Sequence, residues 1–291
     1  MKIANECIIC KEKLISKKKA IVVPFLAERI FHTKAFSTNL IRCKNCGFQF
    51  YSLRPDEDEM IRLYNDYRGE SYIKQRFKYE PWYTKRLNDS LFFKSSTLIK
   101  RRNSLIEQLE IYKPGISQSL TTVLDYGGDK GQLIEGIFNH AKKFVYEISN
   151  VELLPGIEKA TYPSSMTFDF IICSNVLEHV SYPTDILDKI TRMAHDNTVI
   201  YLEVPYEQPY SADTLVKRII QQTVLLFLRP RQFFITFGRG MFTHMHEHLN
   251  YFSEKSLQLL LKEAGYKKAA VKVATINNAN YFCCFATKTD H

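Results

Sequence analysis

Two cysteine pairs near the start of the chain have the spacing of metal ligands. Cys7 pairs with Cys10 in one C-x2-C motif, and Cys43 pairs with Cys46 in another. Four thiolates complete the tetrahedral coordination of Zn²⁺ and leave no open position for water, so such a metal is structural. In a cytoplasmic chain this spacing favours a metal over disulfides. The sequence therefore predicts a zinc-ribbon-like module, although the 32 residues between the pairs exceed the usual spacing and include His32, an alternative ligand.

A glycine-rich turn follows an apolar strand at residues 123–131, which read VLDYGGDKG. A dinucleotide pyrophosphate needs the pattern G-x-G-x-x-G, so that its oxygens can approach bare backbone amides at a helix N-terminus. Here Gly127 and Gly128 are adjacent, Asp129 takes the slot of the second motif glycine, and Gly131 follows. A pyrophosphate would meet a carboxylate, so we do not expect a dinucleotide.

Acidic residues beside this turn suit a positively charged cofactor. Asp125 and Asp129 flank the turn, and their carboxylates complement an ammonium and a sulfonium group. Glu147 ends the next apolar segment, 20 residues after Gly127, where an acid typically binds a ribose diol. The ligand that fits these residues is S-adenosylmethionine.

Alternating histidines form a third group, in the segment THMHEHLNYFS. A hydroxyl that accepts a methyl group benefits from a general base, and a carbon acceptor requires one. Histidine has a suitable intrinsic pKa. We therefore predict that Glu247 and His248, with His246 beside them, perform acid-base chemistry or bind the substrate. The alternatives are a second metal site and a loop that caps the following helix.

The chain resembles the Rossmann-like, S-adenosylmethionine-dependent methyltransferases. Their first motif is an acid, any residue, then Gly-x-Gly-x-Gly, which Asp125, Gly127 and Gly131 match while Asp129 replaces a glycine. Three later segments match in the family's order: residues 168–180 resemble the fourth strand and its loop, 201–205 the fifth strand, and 246–267 a helix with its lead-in loop. The resemblance implies S-adenosylmethionine as cofactor and a seven-stranded sheet with one reversed strand.

The same resemblance implies further cofactor contacts. In the family the loop after the fourth strand contacts the cofactor, which here points to Ser174, Asn175 and His179. His179 has the alternative role of a backbone hydrogen-bond partner. Tyr72 lies in a tyrosine-rich stretch that resembles the cap of sugar methyltransferases and is a candidate to close over the cofactor or substrate. Its alternative is a packing role, since tyrosine has an apolar ring and one polar tip.

The His-Glu-His run resembles that of deoxysugar C-methyltransferases, which also carry an N-terminal cysteine-rich zinc module. This resemblance implies a sugar acceptor, either nucleotide-linked or part of a glycan pathway. In those enzymes a tyrosine stands immediately before the first histidine of the run, and here the residue is Met245. Oxygen and carbon therefore both stay open as the methylated atom.

The elements that must position these residues alternate between strand and helix, which predicts an α/β fold with a doubly wound sheet. We expect a zinc-ribbon-like module at residues 1–52, a helical connector or cap at 53–115, and a Rossmann-like methyltransferase domain at 116–291. Helices are expected after the first strand, in residues 131–141, and after the third. Residues 208–243 form a basic and aromatic insertion, for which we favour a substrate lid over a surface that touches a membrane or a lipid-linked substrate.

Composition limits the remaining functions. The longest apolar stretch, residues 224–228, is far shorter than the ~20 residues of a bilayer span, and residues 1–14 are too polar for a secretory signal. We therefore expect a cytoplasmic protein. The net charge of +9 supports one alternative to a sugar methyltransferase. This alternative is an RNA methyltransferase whose zinc module and basic clusters bind nucleic acid. A second alternative is a non-catalytic interaction protein with a degenerate methyltransferase fold.

Overall fold

The computed structural model describes residues 2–92, 95–149, 151–163, 165–209, 211–240 and 243–289. The chain forms two compact units, and each of them combines two separate segments. The first unit contains Met1–Lys94 and Glu207–Tyr251, and the second contains Ser95–Tyr206 and Phe252–His291. The three domain boundaries expected from the sequence stay a prediction.

Fourteen strands and ten helices are formed by the described residues. The strands are β1 (Lys2–Ile3), β2 (Ile15–Val22), β3 (Ser37–Cys43), β4 (Gln49–Tyr51), β5 (Leu53–Arg54), β6 (Thr122–Tyr126), β7 (Lys142–Tyr146), β8 (Ile157–Lys159), β9 (Phe168–Ser174), β10 (Ala194–Pro205), β11 (His244–Met245), β12 (Asn250–Tyr251), β13 (Lys268–Ile276) and β14 (Ala279–Thr287). The helices are α1 (Pro24–Phe31), α2 (Glu57–Tyr64), α3 (Glu70–Tyr79), α4 (Lys85–Phe92), α5 (Ser95–Tyr112), α6 (Ile116–Ser119), α7 (Pro183–Arg192), α8 (Ala212–Leu228), α9 (Pro230–Gly240) and α10 (Glu254–Glu263). In the described part of the chain, none of these helices combines the length and apolar character needed to cross a bilayer.

A five-stranded sheet organises the first unit, with the strand order β11-β2-β3-β4-β12. β2 begins with exposed lysines and ends in a buried apolar run, so its second half contributes to the core. β11 and β12 belong to the later chain segment and join the sheet by pairing with β2 and β4. This pairing carries the segment that follows α9 into the first unit. Phe25 and Leu26 of α1 pack in one apolar core with Tyr72 of α3.

A seven-stranded sheet forms the second unit, with the order β13-β14-β10-β9-β6-β7-β8. β6 pairs in parallel with β7 and β9, and β10 is parallel to β9. β14 runs antiparallel to both of its neighbours, β10 and β13, so it is the one reversed strand. The expected α/β fold with this sheet is confirmed. The carboxyl ends of β6, β7, β9 and β10 meet at one edge, where ligands bind in such sheets.

The helix predicted after β6 is wrong, because residues 131–141 form a series of turns. Gly136 and Phe138 have φ values of 74° and 52°, which a right-handed α-helix cannot accommodate. Ile134 and Phe138 are nevertheless buried against the sheet. The apolar spacing that suggested a helix is thus satisfied by turns that bury the same side chains.

The helix predicted after the third strand is confirmed as α7, which begins with Pro183 at its first turn. At the C-terminus two apolar segments, AAVKVATI and ANYFCCFATK, flank Asn277 and Asn278, which predicts a hairpin. This hairpin is formed. Both asparagines have positive φ, at 51° and 63°, and β13 and β14 pair from Ile276 opposite Ala279 outward. Two-residue hairpin turns with φ above zero at both positions match the twist of the strands.

Candidate active site and metal centre

The glycine turn of the second unit packs closely against the end of β6. Gly127 has a φ of 75° and donates its N–H to the Tyr146 carbonyl at 2.7 Å. A Cβ at Gly128 would lie 2.5 Å from the Asp125 carboxyl carbon. Only glycine leaves room for this carboxylate, so the turn and the acid form one structural feature.

Asp125 is a buried carboxylate, only 2% exposed, and is the penultimate residue of β6, just before the glycines. Its Oδ2 accepts no hydrogen bond from any residue that the structure describes. Burial is the main reason why the pKa of Asp125 is raised to about 7. The charge of Arg101 lowers this pKa, and the charges of Glu147, Glu203 and Asp129 raise it further. A buried acid with a free acceptor atom fits a ligand that brings a hydrogen-bond donor and a positive charge.

Glu147 and Asp129 join the turn to the end of β7. The Glu147 carboxylate accepts hydrogen bonds from the backbone N–H of Asp129 at 3.0 Å and of Ser149 at 2.9 Å. Asp129 has a φ of 52°, and its side chain accepts a hydrogen bond from the Gln132 amide at 3.0 Å. Aspartate tolerates this left-handed conformation better than most residues. Asp129 thus adopts a backbone conformation that glycine adopts most readily.

Glu203 near the end of β10 is a site residue that the sequence reasoning missed. Its buried carboxylate pairs with Arg101 of α5 and accepts hydrogen bonds from Ser174 at 2.7 Å, Asn175 at 3.3 Å and Tyr201 at 2.8 Å. The predicted residues Ser174 and Asn175 therefore do lie together at the sheet edge. An acid inside the apolar run TVIYLEV was the available signal, since a buried charge needs partners.

His179 lies in the loop between β9 and α7. Its Nε2 lies 3.8 Å from Oε1 of the buried Glu178, and its backbone N–H donates to the Val176 carbonyl at 3.0 Å. A cofactor contact through the imidazole stays a prediction.

In the first unit, Glu247 forms a hydrogen-bonded set with two residues of α3. The Tyr72 hydroxyl donates to Glu247 Oε1. Arg76 donates from Nη1 to the Tyr72 oxygen at 2.8 Å and to both Glu247 oxygens at 3.2 Å. Burial raises the pKa of Glu247, against lowering effects of Arg68, His248 and Arg29. A carboxylate with a raised pKa, held in place by a phenol and a guanidinium, is suited to abstract a proton.

Glu80 and His246 lie beside this set. Arg76 Nε donates to Glu80 Oε2 at 2.8 Å, and His246 Nδ1 lies 3.4 Å from Glu80 Oε1. Burial alone would raise the pKa of Glu80, but the neighbouring Arg76 and His246 side chains lower it to about 2. Glu80 is therefore ionised near neutral pH, and its carboxylate pairs with the Arg76 guanidinium.

A small polar and aromatic pocket in the first unit contains this anion. Oε1 of Glu80 and Nε2 of His244 are both buried and hydrogen-bond to no described residue. Burial lowers the pKa of His244 to about 3, so its imidazole is neutral. The pocket is lined by Val23, Pro24, Tyr79, Glu80, Trp82, Gln221, Gln222, Leu225, Gln232, Thr236, His244 and His246.

His248 has a carboxylate partner of its own. Its Nδ1 lies 2.7 Å from Glu207 Oε2. Burial would raise the pKa of Glu207, but the hydrogen bond and charge of His248 and the charge of Lys217 lower it overall. A carboxylate on one ring nitrogen orients a histidine for acid-base chemistry at the other nitrogen. The three residues predicted to be catalytic thus lie in the first unit with Tyr72, whereas the other predicted cofactor residues belong to the second.

The four N-terminal cysteines form a cluster in the first unit. Cys7 and Cys46 have sulfurs 3.6 Å apart, Cys10 and Cys43 have sulfurs 3.5 Å apart, and all four sulfurs lie within 4.8 Å of one another. Zinc bound to four thiolates at ~2.3 Å separates the sulfurs by about 3.8 Å. His32 caps the end of α1 and is not in this cluster.

The two cysteine pairs also have matching backbones. The residue after each second cysteine has a positive φ, 57° at Lys11 and 74° at Gly47. Each donates its N–H to the carbonyl of the first cysteine in its pair, at 3.0 Å and 3.2 Å. The two turns thus present their thiols in the same way, as the ligands of one metal ion require.

Comparison with solved structures gave many matches. A Burkholderia thailandensis 1,6-didemethyltoxoflavin-N1-methyltransferase is 12% identical with a TM-score of 0.49, over 87% of this chain and 96% of that one. Human N-acetylserotonin methyltransferase is 16% identical with a TM-score of 0.46, over 80% and 60%. The citrinin polyketide synthase CMeT domain is 14% identical with a TM-score of 0.38, over 59% of this chain, which spans less than half, 47%, of that chain.

Comparison with curated proteins found no match. A family model described as a methyltransferase domain matches residues 95–271, which is more than half of the chain. That range contains the glycine turn, Asp125, Glu147 and Glu203, as well as the histidine run. The chain therefore belongs to this methyltransferase-domain family, as the sequence predicted.

Proposed function

We propose that this chain transfers a methyl group from S-adenosylmethionine to a sugar, at an oxygen or a carbon atom. The observation that carries the donor assignment is the buried Asp125, whose Oδ2 lacks a described hydrogen-bond partner beside the glycine turn. The donor's ammonium would supply the missing hydrogen bond and charge, and Glu147 at the end of β7 would accept from its ribose hydroxyls. S-adenosylmethionine supplies an electrophilic methyl group on sulfur.

Further residues of the second unit support the donor site. Gly127, Gly128 and Gly131 leave the backbone of the turn bare, and Asp129 keeps a left-handed backbone there. Ser174 and Asn175 are held at the strand edge by Glu203. We infer that the ion pair of Glu203 with Arg101 positions these two side chains. Arg101 thus forms an ion pair inside its own unit. This pairing weakens the alternative in which the basic residues around Arg101 bind RNA.

The acceptor assignment rests on groups of the first unit. Glu247, with a raised pKa and hydrogen bonds from Tyr72 and Arg76, is suited to take a proton from a hydroxyl or from a carbon beside a carbonyl. His248, oriented by Glu207, is the second candidate for proton transfer. Sugar hydroxyls both donate and accept hydrogen bonds, which matches the carboxylates and imidazoles gathered here.

We also propose that the four cysteines bind one structural zinc ion. Their sulfurs all lie within 4.8 Å of one another, and four thiolates leave no position for a reacting water. The metal would tie the turn that contains Cys7 and Cys10 to the end of β3 and the turn that follows it.

Transfer of labelled methyl groups tests this proposal. The purified chain is incubated with labelled S-adenosylmethionine and, in parallel, with a panel of nucleotide sugars that includes 4-keto sugars and with total RNA. We expect label in the sugar panel and none above background in RNA. Alkali and periodate treatment of the product then separates an O-methyl from a C-methyl group.

An Asp125→Asn variant serves as the control for the donor site and should transfer at least about tenfold less label at limiting donor concentration. Label in RNA would replace the sugar by nucleic acid as acceptor. Binding of S-adenosylmethionine without label in either pool would exclude these acceptors and leave the donor site intact. Absence of binding would overturn the donor assignment itself and favour the non-catalytic alternative.

A further inference from the structure

The outward face of α8 is apolar, which reverses the usual arrangement of a surface helix. Val216, Ile219, Ile220 and Phe227 are all more than half exposed, and they recur at spacings of three, four and seven residues along one side. The buried side of the same helix contains Arg218 and Gln222 together with Leu225. A helix of a water-exposed surface normally places these polar groups outward.

The neighbouring helix α9 continues the same pattern. Phe234 and Phe237 are 69% and 40% exposed, while Thr236 is buried and donates a hydrogen bond to Gln222 of α8 at 3.1 Å. The two helices thus join through polar groups and present aromatic and aliphatic side chains to the outside. Phe227, at 78% exposure, stands near the connection between them. Large exposed apolar patches mark interaction surfaces.

The charge of the two helices indicates which kind of partner this surface binds. Residues 212–240 contain five basic side chains and one acid, and Lys217, Arg229 and Arg231 are exposed. A second copy of this chain would bring like charges together across the patch. An anionic bilayer attracts the basic groups and also accepts the apolar side chains among its acyl chains.

We propose that the outward face of α8 and α9 binds the surface of an anionic phospholipid bilayer. The apolar side chains enter the boundary between headgroups and acyl chains, and the exposed basic residues contact lipid phosphates or carboxylates. The helices lie along this surface. This inference is independent of the methyl acceptor and can be measured without S-adenosylmethionine.

Sedimentation with vesicles tests the proposal on the full chain. We expect the chain to pellet with vesicles that contain phosphatidylserine and to stay in the supernatant with vesicles of phosphatidylcholine alone. Raised salt should weaken binding, because exposed charges are screened. The Phe227→Ser/Phe234→Ser variant should bind at least about tenfold more weakly, since each phenylalanine loses its burial in the bilayer.

A matched variant distinguishes specific binding through α8 and α9 from nonspecific adsorption of exposed apolar side chains to vesicles. Ile111→Ser/Val273→Ser changes two apolar residues of similar exposure, 59% and 55%, on other elements, and it should bind vesicles like the unchanged chain. Lys217→Gln should weaken binding about fivefold. All of these positions are exposed, and circular dichroism verifies that each variant is folded.

Three results would overturn the proposal. Equal binding to neutral and anionic vesicles would remove the role of charge. Equal weakening by both double variants would remove the role of α8 and α9. A concentration-dependent dimer in analytical ultracentrifugation, lost in Phe227→Ser/Phe234→Ser and accompanied by no vesicle binding, would assign the face to a second copy of the chain.

Discussion

At the scale of single residues, Asp125 determines how the proposed donor site responds to pH. Its pKa of about 7 means that about half of the chains carry a neutral Asp125 at that pH. A cationic donor binds the ionised form, so binding should release a proton. We expect the affinity for S-adenosylmethionine to rise about tenfold from about pH 6 to about pH 8, as Asp125 ionises. Calorimetry in buffers of different ionisation enthalpy measures both the affinity and the proton release.

The Asp125→Asn variant isolates this effect. Asparagine keeps the shape but has no charge and no titration, so the loss of a charge-assisted hydrogen bond should weaken donor binding by about tenfold to a hundredfold. The remaining affinity should be nearly independent of pH between those limits. A pH dependence that persists in Asp125→Asn would assign the titration to another group.

Glu247 is the residue on which the acid-base proposal depends. We expect Glu247→Gln to lower kcat by about a hundredfold or more, since removal of a general base typically costs that much, while the affinity for S-adenosylmethionine stays unchanged. Glu28→Gln is a matched control, because Glu28 is also a first-unit carboxylate that accepts from a tyrosine, Tyr79, and a cation, Lys78. Similar losses of kcat in both variants would indicate a structural role. Labelled transfer to the identified acceptor provides the rate.

Sequence alone identifies those site residues whose local motif contains the signal. The cysteine spacing and the acid before the glycine turn need no tertiary information, and the structure brings each set together. Glu203 and Arg101 could not be paired in advance, because a strand and a helix about a hundred residues apart supply them. Arg101 is one of three consecutive basic residues, Lys100 to Arg102, and such a charge run usually forms a solvated face. The pairing of Tyr72 with Glu247 is equally long-range, which spacing along the chain cannot reveal.

At the scale of elements, the apolar periodicity of residues 131–141 predicted a helix where the structure has turns. The apolar positions have helical spacing, but Gly136 adopts a φ of 74° and is open to solvent. We expect Gly136→Ala to lower the free energy of unfolding by about 1 kcal/mol, because alanine in the left-handed region is strained. In a helix the same change would raise stability by about 1 kcal/mol. Urea unfolding gives the sign, and Gly115→Ala, at another open left-handed glycine, should shift stability in the same direction.

Long and strongly patterned elements were predictable, whereas short ones were not. The hairpin of β13 and β14 followed from two apolar runs around paired asparagines, and α10 followed from the resemblance of residues 246–267 to a family helix. β8 has three residues and two exposed side chains, so neither length nor alternation distinguished it from a loop. β11 and β12, with two residues each, exist only through pairing with strands some two hundred positions earlier.

At the scale of the whole molecule, the two units interleave along the chain. The segment Glu207–Tyr251 leaves the second unit, completes the sheet of the first, and the chain then returns for α10, β13 and β14. The sequence indicated an insertion at residues 208–243 but not that the two strands after it, β11 and β12, pair with β2 and β4. Each unit has a core of its own, so we expect each to respond separately to changes in its own ligands.

Removal of the proposed zinc tests this separation. The metal site lies in the first unit and the proposed donor site in the second, so a chelator should lower the stability of the first unit and leave the affinity for S-adenosylmethionine within about twofold. Elemental analysis should give one zinc per chain before chelation.

Cys46→Ser should reproduce the effect of chelation, because three thiolates bind zinc more weakly than four. Cys284→Ala, at a buried cysteine of β14 outside the cluster, should keep its zinc. In calorimetric scans after chelation, the first unit should unfold at a lower temperature. The second unit should unfold at an unchanged temperature and should still be stabilised by the donor. If donor binding disappeared together with the metal, the two units would act as one cooperative body, and the zinc would have to be counted as part of the catalytic structure.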